Sequence, residues 1–177
     1  MYIFESERLG FRTWLDRDTE PFFQLNSDPE VMEFFPSLHS YEQTVAYIDR
    51  ITTFFEENNF GLWAVDEKDS GKFIGFIGLT RATFESPFTP CIEIGWRLAK
   101  AFWGKGYATE GAAACLDYGF NTLGLSEINS FTAVTNKRSE RVMQKIGMKY
   151  IGNFEHTSLP EGHPLRPHVL YKIEKPL

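Results

Sequence analysis

The chain has 177 residues, of which 42% are apolar and 24% charged, so it suits one globular domain spanning residues 1–177. It carries 18 basic and 24 acidic residues, and this excess of negative charge disfavours nucleic-acid binding, which depends on neutralising phosphates. Cys91 and Cys115 form no Cys-x-x-Cys pair, so neither a disulfide framework nor a zinc site is indicated. The chain shows no export-signal pattern and no apolar run of about 20 residues, which predicts a cytoplasmic protein without membrane contact.

The first half of the chain predicts one strand, two helices and then three strands. The first strand covers residues 9–15, and Asp16 and Asp18 are interpreted as turn or cap residues before a short helix. Ser40 is placed to cap a longer helix over residues 41–58, whose apolar residues follow helical spacing. The three strands are predicted at residues 62–66, 73–80 and 92–98.

The second half alternates helices and strands. A helix rich in alanine and glycine is predicted at residues 106–120, followed by a buried strand at 128–134. Asn136 caps the next helix, which Gly147 ends. A closing pair of strands is predicted at residues 150–155 and 168–173. The order indicates a mixed α/β domain with a largely antiparallel sheet at its start.

A glycine turn at Gly104-Lys105-Gly106 joins the strand predicted at residues 92–98 to a helix that begins near Tyr107. A helix N-terminus exposes unpaired backbone N–H groups, and glycines before it let the backbone close around an anion. The turn contains no Walker-type phosphate loop. Thr109 stands where the dinucleotide-binding fingerprint needs its third glycine, which disfavours a nucleotide-dependent oxidoreductase.

The glycine turn occurs together with two other segments. Glu93-Ile-Gly-Trp precedes it, and Asn136-x-x-Ser139 with Arg141 follows about 30 residues later. The combination resembles the GNAT superfamily of acyl-CoA-dependent N-acetyltransferases, in particular the RimJ/RimL-like ribosomal-protein-alanine type. The resemblance runs from residues 7–12 to the final strand. It implies a GNAT-like α/β (α+β) fold, in which helices flank a mixed, mostly antiparallel sheet with splayed central strands.

The resemblance also implies a binding site for acetyl-CoA. The pyrophosphate would lie over the backbone N–H groups of the turn, and the pantetheine arm would pair with the edge of the preceding strand. Ala101 stands where the family often has Gln or Arg, so that side-chain contact is not expected here. The residues assigned to the cofactor are Trp96, Arg97, Leu98, Trp103, Gly104, Lys105, Gly106, Tyr107, Ala108, Thr109, Asn136 and Arg141.

The catalytic candidates follow from the chemistry of acetyl transfer to an amine. An ammonium group must lose a proton before it attacks, and Glu93 is the first candidate general base. Glu155, His156 or a chain of water molecules are the alternatives. By resemblance, Ser139 would point to the thioester sulfur and protonate the departing thiolate. Neither cysteine lies in a nucleophile motif, so no acyl-enzyme is predicted.

Three histidines occur between residues 156 and 168, but their spacing fits no zinc pattern, and no metal is predicted. The proline-rich loop that contains them is placed near the acceptor entrance. The predicted reaction moves an acetyl group to a primary amine of a protein N-terminus, a polyamine or a small molecule. A catalytically silent acyl-CoA-binding module on the same fold is the alternative. The sequence gives no sign of oligomeric state.

Overall fold

The computed structural model describes residues 1–176, which form eight strands and four helices. The strands are β1 (Phe4–Glu5), β2 (Leu9–Arg12), β3 (Leu62–Glu67), β4 (Lys72–Ala82), β5 (Cys91–Leu98), β6 (Glu127–Ala133), β7 (Lys149–Glu155) and β8 (Pro167–Glu174). The helices are α1 (Thr19–Asn26), α2 (Tyr41–Asn58), α3 (Tyr107–Asn121) and α4 (Lys137–Lys145). Single 3-10 turns lie at Asp16–Asp18 and Lys100–Phe102.

The strands form one sheet in the order β1-β2-β3-β4-β5-β6-β8-β7. All neighbours are antiparallel except β5 and β6, which run parallel and share a single registered pair, Glu93 with Asn129. The sheet is therefore nearly divided between its fifth and sixth strands. This arrangement confirms the mixed, mostly antiparallel fold with separated central strands.

The start of the chain differs from the prediction. The first predicted strand ends at Arg12, and the two-residue strand β1 precedes it, too short to give a periodic signal. Asp18 forms no side-chain cap on α1. Its carboxylate instead binds the Arg12 guanidinium and accepts the backbone N–H of Leu15 at 2.8 Å, which turns the chain away from the sheet.

Strand β4 is continuous over Lys72–Ala82 and is therefore longer than the strand predicted at residues 73–80. Gly75 has a φ of 136°, and a Cβ atom there would overlap the carbonyl oxygen of Arg97 on β5. The glycine lets the two backbones approach closely, so it preserves the strand.

Two apolar layers cover the sheet. Helices α3 and α4 pack on one face, where Ile77, Leu79 and Ile94 are fully buried. Helices α1 and α2 pack on the other face over a smaller cluster that includes Phe22 and Phe76. In residues 1–176, no helix combines the length and apolar character needed to cross a membrane.

Candidate active site

A cleft of about 750 Å³ opens where β5 and β6 diverge. Its walls are formed by these two strands, the glycine turn, the start of α3, one side of α4 and the segment between α1 and α2. Ser130 on β6 donates its hydroxyl to the carbonyl oxygen of Ile94 at 3.0 Å and so bridges the two strands. In the described part of the chain, β5 has no registered partner on β6 beyond Glu93, so this strand edge faces the cleft.

The glycine turn leads directly into α3. Gly104 and Gly106 have φ values of 72° and 81°, a conformation that residues with side chains rarely adopt. A Cβ atom at Gly104 would have no atom within 4 Å, so the backbone conformation, not crowding, requires glycine there. Gly106 provides no side-chain cap for α3, and the first N–H groups of the helix therefore lack intrahelical partners. They form an anion cradle beside the cleft.

Most of the residues that the sequence assigned to the cofactor line the cleft. These residues are Trp96, Arg97, Leu98, Trp103, Gly104, Gly106, Tyr107, Ala108, Thr109, Asn136 and Arg141. Lys105 does not line it: its Nζ lies 3.5 Å from Oε1 of Glu67, which also accepts the Tyr107 hydroxyl at 2.5 Å. The lysine charge predicted between the glycines is thus directed toward a carboxylate outside the cleft.

The cations that face the cleft near the turn come mainly from α4. Arg138 and Lys145 line it together with Arg141. The Arg138 guanidinium lies 4.2 Å from the centre of the Trp103 ring, and the Trp103 indole N–H donates to the carbonyl oxygen of Leu98 at 2.8 Å. Helix α4 therefore supplies the positive charge that Lys105 was expected to supply.

Asn136 organises the first turn of α4. Its Oδ1 accepts the Ser139 backbone N–H at 3.3 Å, as predicted for a helix cap. Its Nδ2 donates to Oγ1 of Thr132 at 2.9 Å and to Oγ of Ser139 at 3.1 Å. Because the Ser139 oxygen accepts this bond, its own O–H is free to donate into the cleft.

Glu93 lies where β5 and β6 begin to separate, and its half-buried side chain lines the cleft. It is the single carboxylate in the wall that residues 1–176 form. Burial disfavours the charged form and raises the pKa of Glu93 to about 8. A carboxyl group with such a pKa holds and releases a proton near neutral pH.

The two alternative bases occupy different positions. Glu155 is exposed outside the cleft, with its Oε2 3.2 Å from Nε of Arg166. His156 does line the cleft, where its ring stacks on Phe84 at 4.1 Å. Burial and the nearby His168 lower the pKa of His156 to about 4, so its imidazole is neutral at pH 7 and a weak base.

Nucleophilic and metal chemistry find little support in the residues present. Burial, with Glu93 and Glu127 nearby, raises the pKa of Cys91 to about 11. Burial also raises the pKa of Cys115 well above the usual value of a thiol. Both thiols are therefore protonated at pH 7. Within the part of the chain that the structure describes, no three His, Cys, Asp or Glu side chains cluster as metal ligands.

Several other residues line the cleft from segments that are distant in the sequence. Phe34 and Phe35 both line it from a turn. Tyr47 on α2, Phe131 on β6 and His168 on β8 also line it. Their convergence depends on how α1 and α2 fold back over the sheet, which single-sequence periodicity does not reveal.

The site fits acetyl-CoA. The anion cradle and the α4 cations suit a pyrophosphate, and the free edge of β5 suits the peptide-like pantetheine arm. A Cβ atom at Gly95 would have no atom within 4 Å, so there is open space on the face of β5 that Gly95 shares with Glu93 and Arg97.

The family model described as "Acetyltransferase (GNAT) domain" matches residues 8–149. The chain belongs to the GNAT acetyltransferase family. GNAT acetyltransferases use acetyl-CoA, and the chain is an N-acetyltransferase. This membership confirms the resemblance at the level of the family.

Similar proteins agree with the GNAT assignment. The chain is 35% identical over 146 residues to the uncharacterized protein YkkB of Bacillus subtilis, covering 82% of this chain and 84% of that protein. It is 29% identical over 176 residues to the uncharacterized N-acetyltransferase YoaA of the same organism, covering 98% and 97%. A crystal structure of a GNAT-family acetyltransferase from Bacillus anthracis is 28% identical and superposes with a TM-score of 0.81, covering 98% of each chain.

Proposed function

We propose that this GNAT protein transfers the acetyl group of acetyl-CoA to a primary amine held near Glu93. The observation that carries the proposal is the position of Glu93, the single cleft carboxylate of residues 1–176, at the point where β5 and β6 separate. In the reaction an N–C bond forms and the thioester C–S bond breaks. The ammonium group loses two protons, of which one leaves with solvent and one ends on the CoA thiol.

The residues of the chain divide these tasks. Glu93 accepts a proton from the ammonium group, and its raised pKa of about 8 suits a base that works near neutral pH. Ser139 donates its free O–H to the departing sulfur and is reprotonated from the attacking nitrogen. The N–H groups at the start of α3 and Arg141 hold the phosphates of acetyl-CoA, which supplies the activated carbonyl. Both reactants are held together, so transfer is direct and needs no acyl-enzyme.

Three classes of amine are candidates for the acceptor. A RimJ/RimL-like role would make the acceptor a protein N-terminal amine, such as that of a ribosomal protein. Polyamines and small-molecule amines are the other candidates, since acetyl transfer to each needs the same base and donor. Thiol release measured with a panel of amines separates all of these from a catalytically silent acyl-CoA-binding module, which would bind CoA without turnover.

Glu93→Gln tests the general base. With wild-type protein, kcat/KM should rise with pH through an inflection near 8, because Glu93 must be deprotonated to accept a proton. The variant should lack this inflection and be about 100-fold slower above it. Glu155→Gln is the matched control, since that exposed carboxylate lies outside the cleft. An inflection that persists in Glu93→Gln would exclude Glu93 as the base.

Ser139→Ala tests the proton donor. We expect kcat to fall about 10- to 100-fold, because general-acid assistance to the thiolate is lost. The dissociation constant of CoA should stay within about 2-fold, since the Asn136 cap of α4 remains. Unchanged kcat with weakened CoA binding would reduce Ser139 to a binding residue. Stopped-flow thiol release and calorimetric CoA titration provide the two measurements.

A further inference from the structure

Arg97 is a buried cation whose charge is not compensated. Its side chain is 7% exposed, and its Nη1 donates to Oδ1 of Asn26 at 2.8 Å. Its Nε, also buried, has no hydrogen-bond partner among residues 1–176. Within residues 1–176, no carboxylate lies within 4.0 Å of the guanidinium. Burying an unpaired charge is costly, so this arrangement needs an explanation.

The surroundings of Arg97 are aromatic. The guanidinium lies 4.1 Å from the centre of the Phe35 ring, 5.4 Å from Phe76 and 5.7 Å from Tyr47. Contacts with ring faces hold a guanidinium plane in place and leave the donors at its edge free. Burial lowers the pKa of Arg97 from its usual value, although the group remains a cation at neutral pH. The result is a fixed, charged donor in the wall of the cleft.

Arg97 faces the same side of the sheet as the proposed base. Successive side chains of a strand alternate between faces, so Glu93 and Arg97, four residues apart on β5, share one face. The contacts of Arg97 with Asn26 on α1 and Tyr47 on α2 identify this face as the one that α1 and α2 cover. Burial raises the pKa of the Tyr47 hydroxyl, and on this same face the charge of Arg97 lowers that pKa while the charge of Glu93 raises it.

The charges of the cleft disfavour a polyamine acceptor. A polyamine brings a second ammonium group, which needs a second carboxylate. The cleft wall in residues 1–176 has one carboxylate, Glu93, and four permanent cations. Three of these, Arg138, Arg141 and Lys145, lie on α4 and face the cofactor phosphates in the proposed reaction, although Nη2 of Arg138 also lies 3.2 Å from Oε2 of Glu33. Arg97 alone extends to the face of α1 and α2, and it would repel a second ammonium group there.

We propose that the acceptor carries an oxyanion, a carboxylate or a phosphate, which Arg97 binds while the amine of the same molecule faces Glu93. This inference rests on the proposed acetyl transfer. The Cα atoms of residues 93 and 97 are about 13 Å apart along an extended strand, and we take side chains that project in parallel from one face to place the carboxylate and the guanidinium at a similar separation. Allowing a hydrogen bond of about 3 Å at each end, the amine and the oxyanion should be about 7 Å apart. A primary amine with a spacer of four or five methylene groups spans this distance.

A matched set of amines tests the proposal. The ω-amino acids from γ-aminobutyrate to ε-aminohexanoate are compared with n-alkylamines of the same chain length. Phosphoethanolamine is compared with ethanolamine, and spermidine serves as the polyamine. We expect kcat/KM at least 10-fold higher for an oxyanion-bearing amine than for its uncharged match, as a charge-assisted hydrogen bond provides. The preference should be greatest at a spacer of four or five methylene groups.

Arg97→Met should reduce that preference to below about 2-fold, because kcat/KM falls more for the oxyanion-bearing amines than for the n-alkylamines. Arg50→Met is the control, because Arg50 also stacks on Tyr47, at 5.3 Å, but does not line the cleft. Equal kcat/KM for matched amines, or a preference for spermidine, would overturn the oxyanion proposal and leave acetyl transfer standing. An equal loss on both kinds of amine in Arg97→Met would also overturn it.

A binding measurement separates this proposal from the proposed activity. Hexanoate, which has no amine, should raise the melting temperature of the CoA-bound wild-type protein, whereas hexanamide should not. Arg97→Met should abolish the effect of hexanoate. If no amine releases thiol but hexanoate still binds through Arg97, acetyl transfer fails and the oxyanion site stands. If hexanoate stabilises the wild type and Arg97→Met equally, Arg97 is not an oxyanion site.

Discussion

Two arginines of this protein, Arg12 and Arg97, are buried, with 4% and 7% of their surface exposed, but only Arg12 is paired with carboxylates. Arg12 donates to both oxygens of Asp66 at 2.7 Å and to both oxygens of Asp18 at 2.6 and 2.8 Å. Arg97 donates to one uncharged amide oxygen, and its Nε has no hydrogen-bond partner in the described part of the chain. The pKa of Arg12 is raised by its carboxylates, whereas burial lowers the pKa of Arg97. Because its donors are paired with carboxylates, Arg12 is suited to stabilising the fold. The unpaired donors of Arg97 are suited to binding a ligand.

Arg12→Met should have the largest effect. Removing the guanidinium leaves Asp18 and Asp66 buried without compensation, and we expect the free energy of unfolding to fall by about 3–5 kcal/mol. Urea denaturation gives this value. Adding Asp18→Asn and Asp66→Asn to the same chain should recover part of the loss, because the orphaned charges are removed. A loss below 1 kcal/mol in the single variant would show that this network does not hold the fold.

Asn26→Asp should make the surroundings of Arg97 resemble those of Arg12. The new carboxylate would occupy the place of the amide oxygen that already accepts from Nη1, so we expect stability to rise by about 1 kcal/mol. The preference for oxyanion-bearing amines should fall about 10-fold, since Arg97 would be paired internally. Asn153→Asp, on the exposed surface of β7, controls for the added charge. An undiminished preference would contradict the idea that Arg97 is kept unpaired for binding.

Arg97→Met should have the smallest effect on stability. The variant loses one hydrogen bond but also the cost of an unpaired buried charge, so the free energy of unfolding should stay within about 1 kcal/mol of wild type or rise. Urea denaturation of both proteins at pH 7 measures the difference. A loss of 3 kcal/mol or more would mean that Arg97, like Arg12, mainly stabilises the fold.

The sequence predicted the half of the site built from contiguous segments. The glycine turn and the Asn136 cap could be placed because helix caps and positive-φ glycines are local features with residue-specific signals, and Ser139 was proposed from the family resemblance. Glu93 was found because it precedes that turn on the same strand. These residues line one cleft because a strand, a turn and a helix that follow one another in the chain also lie together in space.

The side-chain contacts between segments that are far apart in the sequence could not be predicted from local patterns. Arg97 was assigned to the cofactor through the backbone edge of its strand, and that assignment did not foresee that its side chain donates to Asn26, 71 residues earlier in the chain. Lys105 was assigned to a phosphate, yet Glu67 from a distant strand attracts it. In both cases the partner comes from a segment far away in the sequence, and the choice of partner depends on tertiary packing. The same limit applied to Asp18, whose partner Arg12 was not anticipated.

The single registered pair between β5 and β6 leaves a weakly paired boundary within the sheet. Five strands lie on one side of it and three on the other, joined there by Glu93 with Asn129 and by the Ser130 hydroxyl. A donor molecule lying along the free edge of β5 would supply the backbone-like partner that β6 does not. Acetyl-CoA would then connect the two halves of the sheet, and its binding would stabilise the folded protein where β5 and β6 separate.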